Sequence, residues 1–271
     1  MLDAALPITA QKDRAPTLTI AVLTKNEAHR IRTCLKSADF ADQRIVVDSG
    51  STDMTCELAR AEGAEVFDYP DWQGFAIQRN RLLRHAIGDY IFFLDADEVI
   101  TPELKNELQQ VVRSGECAVW KIQWRMVAFG RELKYFLPQT KVERLFIRNT
   151  LREYVGVVHE KAILHNEPIP RKILHAHLLH HSRETIRGSL EKLTQYAMLG
   201  AKKRAAQGKR GGVIRGLASF ISMFARLYIG RLGFLCGGAG FLYCVFFALE
   251  GFFRYAALEY DKDTLRGDIE R

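Results

Sequence analysis

Asp89-Tyr90-Ile91-Phe92-Phe93-Leu94-Asp95-Ala96-Asp97-Glu98 is the stretch on which the reading of the chain turns. Residues 91–94 are an uninterrupted apolar run of β-branched and aromatic side chains, the pattern of a strand buried on both faces. Such a strand belongs in a parallel sheet covered by helices. Asp95, Asp97 and Glu98 follow at its carboxyl end, and in open α/β sheets ligands bind outside the carboxyl ends of the strands. Two aspartates one residue apart suit a hard divalent cation, Mg²⁺ or Mn²⁺, which prefers oxygen ligands and keeps substrate phosphates in its shell. The competing reading makes these acids caps of the next helix. Thr101-Pro102-Glu103 already gives that helix a cap and a proline at its first position, so three acids exceed what capping needs.

Working outward, residues 17–23 (TLTIAVL) read as a first strand, followed by Thr24-Lys25-Asn26-Glu27 as its turn. Residues 28–38 carry Ile31, Leu35 and Ala38 at helical spacing. Residues 44–47 read as a second strand ending at Asp48, and Ser49-Gly50-Ser51-Thr52-Asp53 as a capping turn before a helix to about residue 62. Residues 65–67 are a short strand and residues 72–87 a helix. Alternating strands and helices imply βαβ units and a parallel sheet. Its carboxyl rim would then gather Glu27, Asp48, Asp95 and Asp97.

After a helix over residues 102–113 the texture changes. Residues 117–127 and 132–136 flank a turn at Phe129-Gly130-Arg131, a hairpin pattern, and residues 142–148 and 154–158 read as strands. The parallel half gives way to an antiparallel one carrying the polar pair His159-Glu160. Four histidines lie between residues 173 and 181: His175, His177, His180 and His181. They alternate too irregularly for one tetrahedral zinc face, so core or rim positions are the better reading.

The chain is long enough for one domain with an appendage. Residues 1–16 lack the apolar run of a secretory signal and read as a disordered lead-in. Five dispersed cysteines point to reduced thiols in a cytosolic setting. The net charge of +7 is concentrated between Arg183 and Arg231, where acidic residues are few. A basic belt can face nucleic acid or an anionic membrane. Nucleic acid is disfavoured because no stacking-aromatic motif accompanies it. Residues 184–206 read as a basic amphipathic helix, residues 208–212 as a joint, and residues 213–255 as Phe-, Leu- and Gly-rich with spaced arginines. Residues 232–249 are uncharged and at the lower edge of a bilayer span, and their glycines weaken one straight helix. Helices lying in the membrane interface rank first, a single span second, and a buried core or dimer helix third.

The motifs Thr24-Lys25-Asn26-Glu27, Val47-Asp48-Ser49-Gly50-Ser51-Thr52-Asp53 and Leu94-Asp95-Ala96-Asp97-Glu98, in this order and spacing, resemble family 2 glycosyltransferases of the GT-A fold. The nearest likeness is to the lipopolysaccharide core β-1,4-glucosyltransferases, which act on inner-core heptose. The resemblance spans residues 17–255. It implies a Rossmann-like, mostly parallel sheet with an antiparallel acceptor half over residues 17–182, a basic helix and joint over 183–212, and a membrane-associating helical segment over 213–271. It also implies a UDP-sugar donor, UDP-glucose first, inversion at the anomeric carbon, and a lipid-linked glycan acceptor. The place of work would be the cytoplasmic face of the bacterial inner membrane. A polyprenyl-linked or protein acceptor is the alternative.

By the same resemblance Asp97 would hold the metal, with Asp95 supporting it or the ribose. Asp48 would meet the uracil and Glu27 the ribose, next to Thr24 in the same motif. The competing reading of Asp48 is a turn cap, work that Ser51 or Thr52 could do instead, and that of Arg79, at a helix position facing the nucleotide, is a solvated arginine. Arg144 matches a basic position that clamps the pyrophosphate, with Lys141 as second candidate. An inverting transfer needs a base opposite the leaving group. Glu160 of the histidine-glutamate pair is the choice, and Glu98 the rival. His180, just ahead of a helix, is a further candidate for metal or phosphate.

Overall fold

A computed structural model describes residues 14–138, 141–156, 160–165, 168–261 and 265. Most of the expected lead-in, the partner His159 of Glu160, and the last six residues of the tail lie outside these. The chain forms two compact units: Met1–Gln123 with Lys141–Leu178, and Trp124–Thr140 with Leu179–Arg271.

In the first unit, β1 (Leu18–Thr24), α1 (Ile31–Ser37), β2 (Gln43–Asp48), α2 (Thr55–Ala61), β3 (Glu65–Asp68), α3 (Phe75–His85) and β4 (Tyr90–Asp95) alternate as the hydrophobic pattern predicts. Strands β3-β2-β1-β4 lie side by side and parallel. Every residue of β1 is buried, as are the first five of β4, so both strands have helices or loops on each face. Phe92 and Phe93 are fully buried; truncating either to alanine would cost about 3–5 kcal/mol.

Beyond β4 come β5 (Glu98–Ile100), α4 (Pro102–Ser114), β6 (Val119–Ala128), β7 (Arg131–Glu132), β8 (Lys141–Ile147), β9 (Leu151–Val155), β10 (Lys161–Leu164) and β11 (Arg171–Arg183). Thr101 caps α4, its side chain accepting from the Leu104 amide at 3.2 Å, so the acids before it are not needed as caps. The three-residue β5 is absent from the sequence reading; it is too short to show a period. The sheet continues from β4 to β8, β6, β11 and β5. β8 runs antiparallel to both β4 and β6. The expected change from a parallel to an antiparallel half therefore falls between β4 and β8. β9 and β10 form a separate two-stranded ribbon.

The second unit holds the end of β6 and its hairpin to β7. The two turn residues Phe129 and Gly130 both have positive φ, 51° and 72°, as a two-residue turn between twisted strands requires. Then come α5 (Ile186–Ala206), α6 (Val213–Tyr228) and α7 (Gly237–Tyr260). The glycines expected to weaken the last segment do break it ahead of residue 237, but α7 runs on through Gly238, Gly240 and Gly251. Their value is close packing: a Cβ on Gly251 would come 2.7 Å from Ser219 Oγ, and one on Gly240 2.3 Å from the Gly233 carbonyl. Arg183 and Glu250, both buried, form an ion pair within this unit. Residues Gly233–Tyr260 are long and apolar enough to cross a membrane, with mean hydropathy 1.6 over an 18-residue window, although 44% of that window is buried inside the protein. On α6, Ile214, Leu217 and Ile221 are exposed at helical spacing, Ile214 by 83%.

Candidate active site

Register places the site. Thr24 pairs with Asp48 across β1 and β2, and Leu23 with Asp95 across β1 and β4. Thr24, Asp48 and Asp95 therefore stand on one rim, where the parallel half meets β8.

The two loops on this rim are laced together. Asn26, at φ 54°, accepts from the Thr52 amide at 2.8 Å, and its own amide donates to Ser51 Oγ at 2.7 Å. The Glu27 amide donates to Thr55 Oγ1 at 2.8 Å and the Ala28 amide to Asp53 at 3.2 Å. Asp48 is almost fully buried. One of its oxygens accepts the Gly50 and Ser51 amides at 2.9 and 2.6 Å, and the other the Ser51 hydroxyl. Gly50 has φ 81°, a conformation that suits glycine. The carboxylate of Asp48 thus holds the turn. The Thr24 hydroxyl is buried with no hydrogen-bond partner among the described residues.

Four carboxylates gather at the end of β4. Their common reporter is Cys34, a fully buried thiol on α1. Burial first, and then the charges of Glu98, Asp97, Asp95 and Glu27, push it well above its ordinary range. Glu27 is itself raised, by burial first and by the nearby Asp97, against the pull of Arg30 at 2.9 Å. Asp97 is half-buried.

Two arginines bracket Asp95. Arg144 Nη2 lies 2.6 Å from one oxygen and Arg79 Nη2 3.2 Å from the other. Arg144 also meets Glu98 at 2.7 Å, and Arg79 meets Glu160 at 3.2 Å. The Arg79 side chain is only 8% exposed. It lies over the rings of Phe93 and Tyr154, 5.6 and 5.7 Å from their centroids. The solvated alternative for Arg79 is therefore set aside. Glu98 is fully buried, and its second oxygen accepts the Asp95 amide at 2.8 Å. Tyr154 is fixed from α3, where Asn80 both accepts from its amide at 2.7 Å and donates to its carbonyl at 2.9 Å.

The rim so brings together Thr24, Glu27, Arg79, Asp95, Asp97, Glu98, Arg144 and Glu160, with Asp48 at its edge. Lys141 is exposed at the head of β8, and the register of β8 with β6 shifts at Arg144, which falls between the paired residues Glu143 and Leu145. His180 belongs to the second unit, where its ring lies edge-on to Trp124 at 5.2 Å. Sequence reasoning missed Cys34, Asn80 and Tyr154. The first two sit at inward helix positions that look like ordinary core or surface sites, and Tyr154 reads as one more strand aromatic.

Among the described residues no three His, Cys, Asp or Glu side chains form a metal cage by themselves. Magnesium-type sites need only one or two carboxylates, the rest coming from substrate phosphates and water. Asp97 beside the raised Glu27 is an oxygen-only donor set in which one carboxylate's charge works against the other's. These residues fit a hard divalent cation completed by a phosphorylated ligand.

The sequence profile Glycosyl transferase family 2 matches residues 19–167, which contains every member of the rim. A glycosyltransferase of Rickettsia bellii, itself uncharacterised, is 30% identical over 257 residues, covering 88% of this chain and 84% of its own length. The lipopolysaccharide core biosynthesis glycosyltransferase LpsC of Rhizobium meliloti is 25% identical over 260 residues, covering 92% and 94%. Among solved structures, S. aureus TarS 1-349 in complex with UDP-GlcNAc is similar with TM-score 0.46 and 17% identity, over 62% of this chain and 59% of that one. The profile match over more than half of the chain, together with a full-length relative at this identity, establishes that the protein belongs to glycosyl transferase family 2.

Proposed function

We propose that the protein is an inverting, metal-dependent hexosyltransferase that moves a sugar, glucose first, from a UDP-sugar to a lipid-linked glycan, with a heptose of lipopolysaccharide inner core as acceptor. The observation that carries this reading is the rim itself. Four carboxylates converge beside two buried guanidinium groups at the strand ends where an α/β sheet binds ligands.

Each residue then has a task. Asp48, through the turn it holds, shapes the wall for the uracil, and Thr24 and Glu27 face the ribose. Asp97, with Asp95 behind it, would hold Mg²⁺ or Mn²⁺. When bound, that ion neutralises the charge gathering on the departing diphosphate. Arg144 and Arg79 hold Asp95 in place and present positive charge to the same phosphates.

The acceptor hydroxyl oxygen forms a bond to the anomeric carbon as the bond from that carbon to the β-phosphate oxygen breaks. The bonding pair leaves with UDP, and the hydroxyl proton passes to Glu160. Arg79 touches both Asp95 and Glu160, so one side chain sets the distance between the donor and acceptor sides. Glu98 is unsuited as the base, since it is fully buried with both oxygens engaged; it is a positioning residue for Asp95. In the second unit, the exposed aliphatic face of α6 rests in the membrane interface. Buried Glu250 and the nearby Arg254 favour that arrangement over a span for α7. Parking there would restrict the search for a lipid-linked acceptor to two dimensions.

The test is UDP release from the purified full chain with a panel of UDP-sugars, core lipid of a truncated strain and Mn²⁺. Asp97→Ala should abolish turnover without changing the unfolding curve. Turnover retained in that variant removes the metal assignment, and turnover only with a polyprenyl-linked or protein acceptor removes the core-lipid one.

A further inference from the structure

In the second unit, α5 and α7 meet around two guanidinium groups that form no ion pair among the described residues. Arg204 comes from the last turn of α5, and its guanidinium lies over the Tyr255 ring, 5.3 Å from the centroid. Arg254 comes from α7 and lies against Gly200 of α5. A Cβ there would fall 2.2 Å from Arg254 Nε and 2.9 Å from Cδ, so the glycine is the cradle in which that side chain rests. The Nε of each arginine is buried with no hydrogen-bond partner, and neither guanidinium is ion-paired among the described residues.

Glu250, one turn before Arg254, is already the partner of Arg183. Burial first, and then the charge on Arg204, pull Arg254 below its ordinary value. Two like charges half out of water, with donor atoms unused, are costly unless an anion joins them. The planar forks of two arginines match the oxygens of a phosphate group.

The surroundings point to the carrier of that phosphate. The start of α6 is pressed against the same stretch of α7: the Gly212 amide donates to the Tyr255 carbonyl at 2.9 Å, and a Cβ on Gly211 would fall 2.5 Å from the Glu259 nitrogen. From that point Val213, Ile214 and Leu217 are exposed by 43%, 83% and 48%. The guanidinium pair and the aliphatic face thus occupy one end of the helical unit, phosphate chemistry beside acyl-chain chemistry. We propose that Arg204 and Arg254 hold the phosphate of an anionic lipid headgroup, with Val213, Ile214 and Leu217 resting on the acyl chains beside it. The site does not depend on the catalytic reading; it rests on the interfacial reading of the second unit only for the carrier of the phosphate.

The experiment uses the full chain and two readouts. Co-sedimentation with phosphatidylcholine vesicles, with and without phosphatidic acid, measures headgroup preference. Thermal unfolding with inorganic phosphate alone measures the anion site without any lipid. The variants are R204Q/R254Q, the charge-matched surface pair K203Q/K209Q, and G200A, which keeps every charge but fills the cradle. Near an anionic surface each basic side chain contributes roughly fivefold in partitioning, so both double variants lose some binding to the phosphatidic acid vesicles. R204Q/R254Q should lose about tenfold more than K203Q/K209Q, because charge-assisted hydrogen bonds go with it. Inorganic phosphate should raise the midpoint of the wild type and of K203Q/K209Q, but not of R204Q/R254Q or G200A. Equal losses in the two double variants, or equal phosphate stabilisation in all four proteins, overturns the site. Phosphate stabilisation without any preference for phosphatidic acid overturns the lipid as its carrier. Failure to bind either vesicle, with phosphate stabilisation intact, sinks the interfacial reading and leaves the anion site standing.

Discussion

Arg144→Met is the sharpest test of how the rim is held. Arg144 Nη2 sits 2.6 Å from Asp95 and 2.7 Å from Glu98, and the Arg144 and Glu98 side chains are 4% and 1% exposed. Against burial, which favours the neutral form, the charges of Asp95 and then Glu98 hold the guanidinium firmly protonated. Methionine keeps much of the volume, so loss of packing is a minor part of the effect. Asp95 retains Arg79 at 3.2 Å. Glu98 is left as a buried carboxylate that still accepts the Asp95 amide but has lost this cation. Breaking a buried pair in this way costs about 3–5 kcal/mol, far more than the 0–1 kcal/mol of a surface pair. Urea unfolding followed by tryptophan fluorescence reads it, since Trp120 is among the largest fully buried side chains. The companion variant Glu98→Gln removes the charge that Arg144 faces. The double variant should therefore be less destabilised than the sum of the two single variants, by about 1–3 kcal/mol. A loss under about 1 kcal/mol in Arg144→Met, or strict additivity in the cycle, would refute the claim that this pair is the buried brace of Asp95.

Glu160→Gln should lower kcat by about 10²–10⁴-fold and leave UDP binding little changed, because the Gln carbonyl can still accept from Arg79 Nε; single-turnover kinetics beside UDP titration checks it. Asp89→Asn probes the anchor of β1, where Asp89 accepts the Thr17 amide at 2.8 Å and meets Arg14 at 3.0 Å. The hydrogen bonds from Thr17 and the charge of Arg14 outweigh burial and draw Asp89 below its ordinary 3.8. The stabilisation it gives is thus present above that value and lost as pH falls through the depressed one. With the side chain about a third exposed, wild type and variant should differ by less than about 1 kcal/mol at neutral pH and converge in strong acid, as denaturant titration across pH would show. Leu217→Asp with Ile221→Asp, on the exposed face of α6, should cut vesicle co-sedimentation tenfold or more, given roughly 1.5–3 kcal/mol per buried aliphatic side chain; unchanged co-sedimentation would mean that α6 does not face lipid.

The parallel half was legible in the sequence because its strands are apolar runs that stop at polar residues. The run at residues 91–94 stops at Asp95, and the register with β1 then puts Asp95 level with Leu23, one residue before Thr24. Strand length and strand ending together determine which side chains share a rim, and both are local properties. What the sequence did not carry was the second bond each of these side chains makes. Asp48 is matched to a base contact, and its oxygens also anchor the turn behind it. Glu98 is the rival base on sequence and a buried brace in the fold, a distinction that depends on Arg144, 46 residues away. Arg79 is on sequence either a nucleotide-facing or a solvated arginine, and Asp95 and Glu160, from two separate parts of the chain, close on it. Such long-range pairings decide whether a charged residue is a ligand, a base or a strut. A carboxylate whose oxygens are saturated by the protein is poorly placed to exchange protons with a substrate. That is why the proposed choice of Glu160 over Glu98 rests on burial: Glu160 keeps about a quarter of its side chain accessible, against a hundredth for Glu98, and in the proposed reaction the former would meet an incoming hydroxyl without first breaking the structure that aligns Asp95.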